Sequence, residues 1–126
     1  MMQISASPWR VLDAKHQAIF SDIVKLRQKF AAKFAALAKK SGEGGEPILR
    51  SLEYNYPGEG YAAVIDQFMM GEDLLVAPVM KKGAASRKVV LPAGKWLGDD
   101  GKTYVGPTEI TVETPLSRLP HFTAVR

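Results

Sequence analysis

DQFMMGEDLLVAPV, residues 66–79, is where the texture of this chain changes. Three carboxylates (Asp66, Glu72 and Asp73), two methionines and Gly71 stand before an apolar run that ends in Pro78 and Val79. Two readings compete: a loop whose carboxylates act as acid and base, or a joint between two pieces of a fold. Upstream, YAAVIDQFMMG has the alanine, methionine and apolar spacing of a short helix over 61–70 that stops at Gly71. Downstream, the leucines of 74–75 open a short strand.

Working toward the N-terminus, Leu12, Ile19, Phe20, Ile23, Leu26, Phe30, Phe34 and Leu37 recur at steps of three and four. That spacing makes one apolar stripe and predicts a single long helix over about 13–40. Asp13 suits its positive end, Lys39 and Lys40 its negative end. SGEGGEP, residues 41–47, supplies the stop. ILRSLEYNYP then alternates sides and predicts a strand over about 48–55. Toward the C-terminus, LLVAPV, RKVVLP, KWL, TYV and EITVE are short strand-like runs separated by KKGAAS, PAG, GDDGK and GPT, which are turn chemistry. The fold class expected is α+β: a long N-terminal helix with one or two strands, followed by an antiparallel β-sandwich from residue 74 to 126.

At 126 residues, 46% hydrophobic and 24% charged, the chain suits one domain with a modest core. It has no cysteine, which excludes disulfides and thiol chemistry and leaves the compartment open. MMQISASPWR lacks the basic cluster and apolar core of a signal peptide, and no apolar run approaches the ~20 residues that span a bilayer; no membrane partner is expected. Residues 13–40 hold seven basic side chains against Asp13 and Asp22, a net +5 that accounts for the whole +4 of the chain. Nucleic acid would need aromatic residues interleaved on that face, and there are none. The plainer reading is a solvated helix surface, with no nucleic-acid partner.

Candidate chemistry is sparse. His16 and His121 have no partners at metal-ligand spacing, so no metal site is expected. No Gly-x-Ser-x-Gly elbow occurs, and GEGGEP lacks the Lys-Ser or Lys-Thr of a phosphate loop. Asp66 with Glu72 or Asp73 could be tried as a glycosidase pair, which requires carboxyl groups ~5 Å or ~6.5–9.5 Å apart. Gly71 lies between them, where one element is expected to end and another to begin. Asp99 and Asp100 sit in GDDGK, a hairpin tip where acidic residues serve the turn. Trp9, Trp96, Tyr54, Tyr56 and Tyr104 could stack on sugars, but such aromatics also anchor cores.

Four stretches, taken in order, carry a resemblance: SPWRVLD (7–13), GEPILRSLEYNYP (45–57), YAAVIDQFMMGEDLLVAPVMKKGAASRKVVLPAGKW (61–96) and GDDGKTYVGPTEITVETPLSRLPHF (98–122). The chain resembles the C-terminal part of glycoside hydrolase family 31, the α-glucosidase and α-xylosidase group, along nearly its whole length. The resemblance implies that residues 1–71 are the last strands and helices of a (β/α)8 barrel and 74–126 the proximal C-terminal sandwich. It implies a retaining enzyme that uses two aspartates, neither of whose motifs has a counterpart here, so no catalytic residue is assigned and the chain alone is expected to be inert. MMQIS corresponds to a barrel strand and its outgoing loop, so the chain is expected to begin inside a domain. Family members carry a substrate-contacting histidine near that position, where this sequence has Ser5. Gln3, Ser5 and Trp9 are the residues left as candidates for sugar contact. The partner implied is an α-linked oligosaccharide in the intact enzyme, with no cofactor. A stripe at Phe20, Phe30 and Phe34 separated from its barrel neighbours predicts self-association. The alternative is a non-catalytic carbohydrate-binding sandwich that uses Trp96 and Tyr104.

Overall fold

The computed structural model describes residues 6–126. These fall into two units divided between Ala36 and Leu37, and each is described by itself.

The first unit is helical. α1 (Pro8–Val11) begins with proline at a position that has no backbone N–H to satisfy. α2 (Ala14–Lys29) is capped by Asp13, whose Oδ1 accepts the His16 N–H at 2.8 Å. That backbone hydrogen bond, joined by one from the His16 ring, holds the Asp13 carboxyl below its ordinary range. The single helix expected over 13–40 is instead two. α2 ends at Lys29, Phe30 steps out of helical geometry (φ −95°, ψ 1°), and α3 (Ala31–Gly44) follows. No proline or glycine marks the break, so the apolar period runs through it unaltered. α3 also continues past the expected stop at Ser41. Glycine weakens a helix by about 1 kcal/mol relative to alanine without forbidding it. The stop comes at Gly45, whose left-handed φ of +75° lets its N–H close onto Ser41 O at 2.8 Å.

The second unit contains β1 (Leu49–Arg50), α4 (Leu52–Asn55), a 3-10 turn at Tyr61–Ala63, β2 (Phe68–Met70), β3 (Leu74–Val76), β4 (Ser86–Gly98), β5 (Thr103–Glu113) and β6 (His121–Val125). The strand expected over 48–55 is only β1. Ser51 turns the chain into α4 by accepting the Tyr54 N–H on its Oγ at 3.2 Å. The helix expected over 61–70 is also absent: after the 3-10 turn the chain extends into β2. Long-range pairing overrides helix propensity there. The buried Gln67 side chain donates to Val90 O at 2.6 Å and accepts from Val90 N at 2.9 Å, so it pairs with β4 as a strand backbone would.

DQFMMGEDLLVAPV is therefore a β-hairpin. Phe68, Met69 and Met70 face Val76, Leu75 and Leu74 across a Gly71–Glu72–Asp73 turn. Gly71, at φ +69°, makes that turn possible. The sheet runs in the order β1-β2-β3-β6-β4-β5 with every pair antiparallel, so it passes without interruption through residues 71–73. A bulge between Leu91 and Gly94 divides β4. Its first half pairs with β5 alone, and its second half pairs with both β5 and β6. Val89, Leu91 and Val112 on one side of the bulge share a single core with Trp96, Phe122, Leu75, Met69 and Leu52. Strands on both sides of the bulge thus contribute to one core. Class and β architecture are as the sequence suggested.

Candidate functional site

The carboxylates of the opening stretch come first. Asp66 is clasped by the nearly buried Arg87, Oδ2 to Nη2 at 3.0 Å, and its carbonyl accepts from Nη1 at 2.8 Å. The same Nη1 donates to Pro78 O. Arg87 is therefore a tie between the entry to β2 and the exit from β3. Glu72 accepts from Lys40 Nζ at 2.9 Å and lies 3.6 Å from Arg126. The Lys40 hydrogen bond and charge hold its carboxyl below the usual range, the opposite of what a general acid needs. The Asp73 carbonyl accepts the Ala124 N–H at 2.8 Å, which ties the turn to β6.

The hairpin tip behaves as turn chemistry predicts. Asp99 takes a two-pronged pair of bonds from Arg118, at 2.7 and 2.8 Å. Asp100 accepts from Lys102 N at 3.0 Å and from the Tyr104 hydroxyl at 2.7 Å. Burial opposes the Asp100 charge, but the Tyr104 and Lys102 hydrogen bonds prevail and its carboxyl sits below the ordinary range. His16 belongs to the α2 cap, Nδ1 to Asp13 Oδ1 at 2.6 Å, and His121 Nδ1 lies 2.8 Å from Leu119 O. Among the described residues no group of three or more His, Asp or Glu is placed to hold a metal.

Of the aromatics, Trp96 is 1% exposed and donates its indole N–H to Pro92 O at 2.8 Å. It has no face to offer a sugar, so the reading of Trp96 and Tyr104 as a stacking platform fails. Tyr104 packs edge-on against Phe122. Gln3 and Ser5 lie outside the described residues. Trp9 is exposed and meets Phe20 edge-to-face at 5.7 Å.

What the sequence did not single out is a polar cleft of about 470 Å³ in the second unit. Its floor is Arg50, a buried guanidinium that donates from Nε to Pro47 O at 2.8 Å and from Nη1 to Asn55 Oδ1 at 3.4 Å. Glu46 pairs with it, Oε2 to Nη2 at 3.2 Å, which is what allows a charge to be buried there. One wall is Tyr54, with the Arg50 guanidinium 5.4 Å from its ring centroid and its hydroxyl on Glu46 Oε2 at 3.2 Å. Tyr56 lines the same side, and its phenol is pushed up by burial and by the charge of Glu59. The opposite wall is Glu72 with Arg126. Asn55 fixes the turn beneath by donating to Gly71 O at 2.9 Å. Glu46, Arg50 and Tyr54 are spaced by four, but they sit on a loop, a strand and a helical turn, so no single periodicity marks them.

Residues 45–124 match the Glycosyl hydrolase family 31 C-terminal domain. The chain belongs to glycosyl hydrolase family 31. It is similar to the myogenesis-regulating glycosidase of Mus musculus, 37% identical over 97% of this chain and 18% of that protein. Its structure is similar to that of a family 31 α-xylosidase from a soil metagenome complexed with xylose, at TM-score 0.88 and 31% identity, over 98% of this chain and 19% of that one. It is also similar to a family 31 dextranase of Flavobacterium johnsoniae complexed with glucose, at TM-score 0.86 and 31% identity, over 94% of this chain and 15% of that one. The chain thus spans less than a fifth of the length of these relatives. Within the family 31 frame, all of the cleft except Arg126 lies inside the matched C-terminal domain, whereas α1, α2 and α3 precede it.

Proposed function

We propose that this chain is the C-terminal part of a retaining family 31 α-glycosidase and is inert alone. On this reading residues 1–71 complete a catalytic barrel, 74–126 brace it, and the nucleophile and acid/base are supplied by residues outside the chain. The observation that supports it is the family 31 match in a chain whose candidate carboxylates are committed to cations: Asp66 to Arg87, Glu72 to Lys40. Retaining hydrolysis needs one carboxylate as nucleophile and a second carboxyl whose pKa is raised so that it can deliver a proton. Glu72 is shifted the other way. The substrate proposed for the intact enzyme is an α-linked oligosaccharide, with Gln3, Ser5 and the exposed Trp9 as the positions of this chain that approach it. Purified chain is expected to release no nitrophenol from aryl α-glucosides or α-xylosides above host background. Turnover that disappears with Asp66→Asn or Asp73→Asn would sink this reading.

A second reading concerns the chain in isolation. None of the residues of α1–α3 is buried, and Trp9, Val11, Ile23 and Val24 are exposed beside the half-buried Phe20, Phe30 and Phe34. Phe30 and Phe34 stack at 6.3 Å with the Arg27 guanidinium 4.2 Å over the Phe34 ring, so the stripe is partly shielded from within. We propose that the free chain self-associates through the remaining apolar face. Light scattering should give a mass that rises with concentration above the 13.8 kDa of one chain, and Ile23→Glu should restore the monomer. A mass independent of concentration for the parent chain rules self-association out.

A further inference from the structure

We propose that the cleft between Tyr54 and Glu72 binds a neutral pyranoside, as an accessory sugar site independent of hydrolysis. The lining itself carries as many carboxylates as guanidinium groups. Arg50 is matched by Glu46 and Arg126 by Glu72, and Lys40, outside the lining, also donates to Glu72 at 2.9 Å. A phosphate or carboxylate would gain two guanidinium groups and meet two carboxylates at the same time. An apolar ligand would have to strip water from a lining that is almost wholly charged or hydroxylated.

A sugar fits both constraints. Each pyranose hydroxyl is at once a donor and an acceptor, and neighbouring hydroxyls bridge a guanidinium and a carboxylate set side by side. The cleft offers that arrangement twice, on the floor and on the far wall. Tyr54 supplies the remaining element. Its residue is 51% exposed and Arg50 lies over one face of the ring, which leaves the other face as a flat platform for the C–H side of a sugar. Arg50 itself, buried to within 7% and locked by Pro47 O, Asn55 and Glu46, gives the site a rigid floor before any ligand arrives. The volume of about 470 Å³ lies within the ~300–1,000 Å³ usual for small-molecule sites and suits one or two rings.

The test is titration of the full chain with maltose, followed by its amide NMR signals. Saturable shifts in the millimolar range, centred on Asn55, Tyr56 and Gly71, are expected. Tyr54→Ala should weaken binding about tenfold or more, and Arg126→Ala should weaken it independently. Both side chains are exposed, so melting temperatures should hold, whereas Tyr54→Phe should retain most of the affinity. Glucose 6-phosphate should bind no better than maltose. Tighter binding of the phosphate, shifts centred elsewhere, or no saturable shift up to the solubility of maltose would each overturn the proposal. Catalysis is not read in this experiment, so its failure leaves the family 31 fragment reading untouched, and turnover of aryl glycosides would sink that reading without touching this one.

Discussion

Trp96→Ala is expected to cost about 4 kcal/mol or more, a large share of the stability of residues 37–126. The side chain is 1% exposed at the centre of a core built with Phe122, Leu75, Leu91, Val89, Met69 and Leu52. Truncating a buried tryptophan leaves a cavity that rigid neighbours fill only partly, at about 3–5 kcal/mol. It also strands the Pro92 carbonyl, which accepts the indole N–H at 2.8 Å in a buried setting and whose orphaning adds about 1–3 kcal/mol. Domains of this size hold roughly 5–15 kcal/mol in all, so the loss takes a large share of it. Trp96→Phe separates the two causes: it keeps most of the volume, loses the hydrogen bond, and should cost about 1–3 kcal/mol. Urea unfolding followed by far-UV circular dichroism measures both. An alanine variant within about 1 kcal/mol of the parent would mean that Trp96 does not hold this core together.

How much of this was legible in the sequence depends on the range of the forces involved. The hairpins at 98–102 and the β texture after Leu74 announce themselves through local turn chemistry. A turn at Gly71–Asp73 is legible because glycine at a turn is a local signal, but it links two strands of one hairpin and not two pieces of a fold. What precedes it was misread. Ala62, Ala63, Met69 and Met70 have helix-forming character, but β2 is fixed by its hairpin partner, Met69 against Leu75, and by partners about 20 residues away, Met69 against Arg50 and Gln67 against Val90. Ser51 is a cap residue inside an alternating run, and the alternation hid the turn of α4. The reverse holds at SGEGGEP, where three glycines and a proline suggest an early stop. Only Gly45 adopts the left-handed conformation that ends α3.

The site was less legible than the fold. Asp66, Glu72 and Asp73 attract attention as a cluster, yet what decides the role of Asp66 and Glu72 is Arg87, Lys40 and Arg126, which no local pattern connects to them. Trp96 looked like a stacking residue by type, and only its burial shows that its ring is committed to the core. The cleft is assembled from residues 46–56, the 71–73 turn and Arg126 at the end of β6, so its geometry exists only once the sheet has closed. Family resemblance names the domain through the same stretch without bearing on the cleft, since the resemblance follows the order of motifs and the cleft follows their folding.

Gly106→Ala is expected to destabilise residues 37–126 by about 3 kcal/mol or more, far beyond the usual price of removing a glycine. Gly106 faces Gly94 across the β4 bulge. A methyl group built there would lie 2.0 Å from Pro92 O and 2.8 Å from both Leu91 O and Pro92 C, all backbone atoms. No side-chain rotation relieves that overlap, so β4 itself must move. The comparison that isolates the cause is Gly83→Ala, where φ is +74° but the methyl group meets nothing within 4 Å; it should cost only the ~1–2 kcal/mol of a left-handed alanine. If urea midpoints show the two variants equally destabilised, close approach at the bulge is not what holds Gly106. A double-mutant cycle goes further. The Pro92 carbonyl that the new methyl would displace is the one holding the Trp96 indole. If the damage runs through that carbonyl, Gly106→Ala already breaks the bond that Trp96→Phe removes, and the pair should cost less than the sum of the single changes by about 1 kcal/mol. Strict additivity would instead place the strain of Gly106→Ala elsewhere along β4, with the indole hydrogen bond intact.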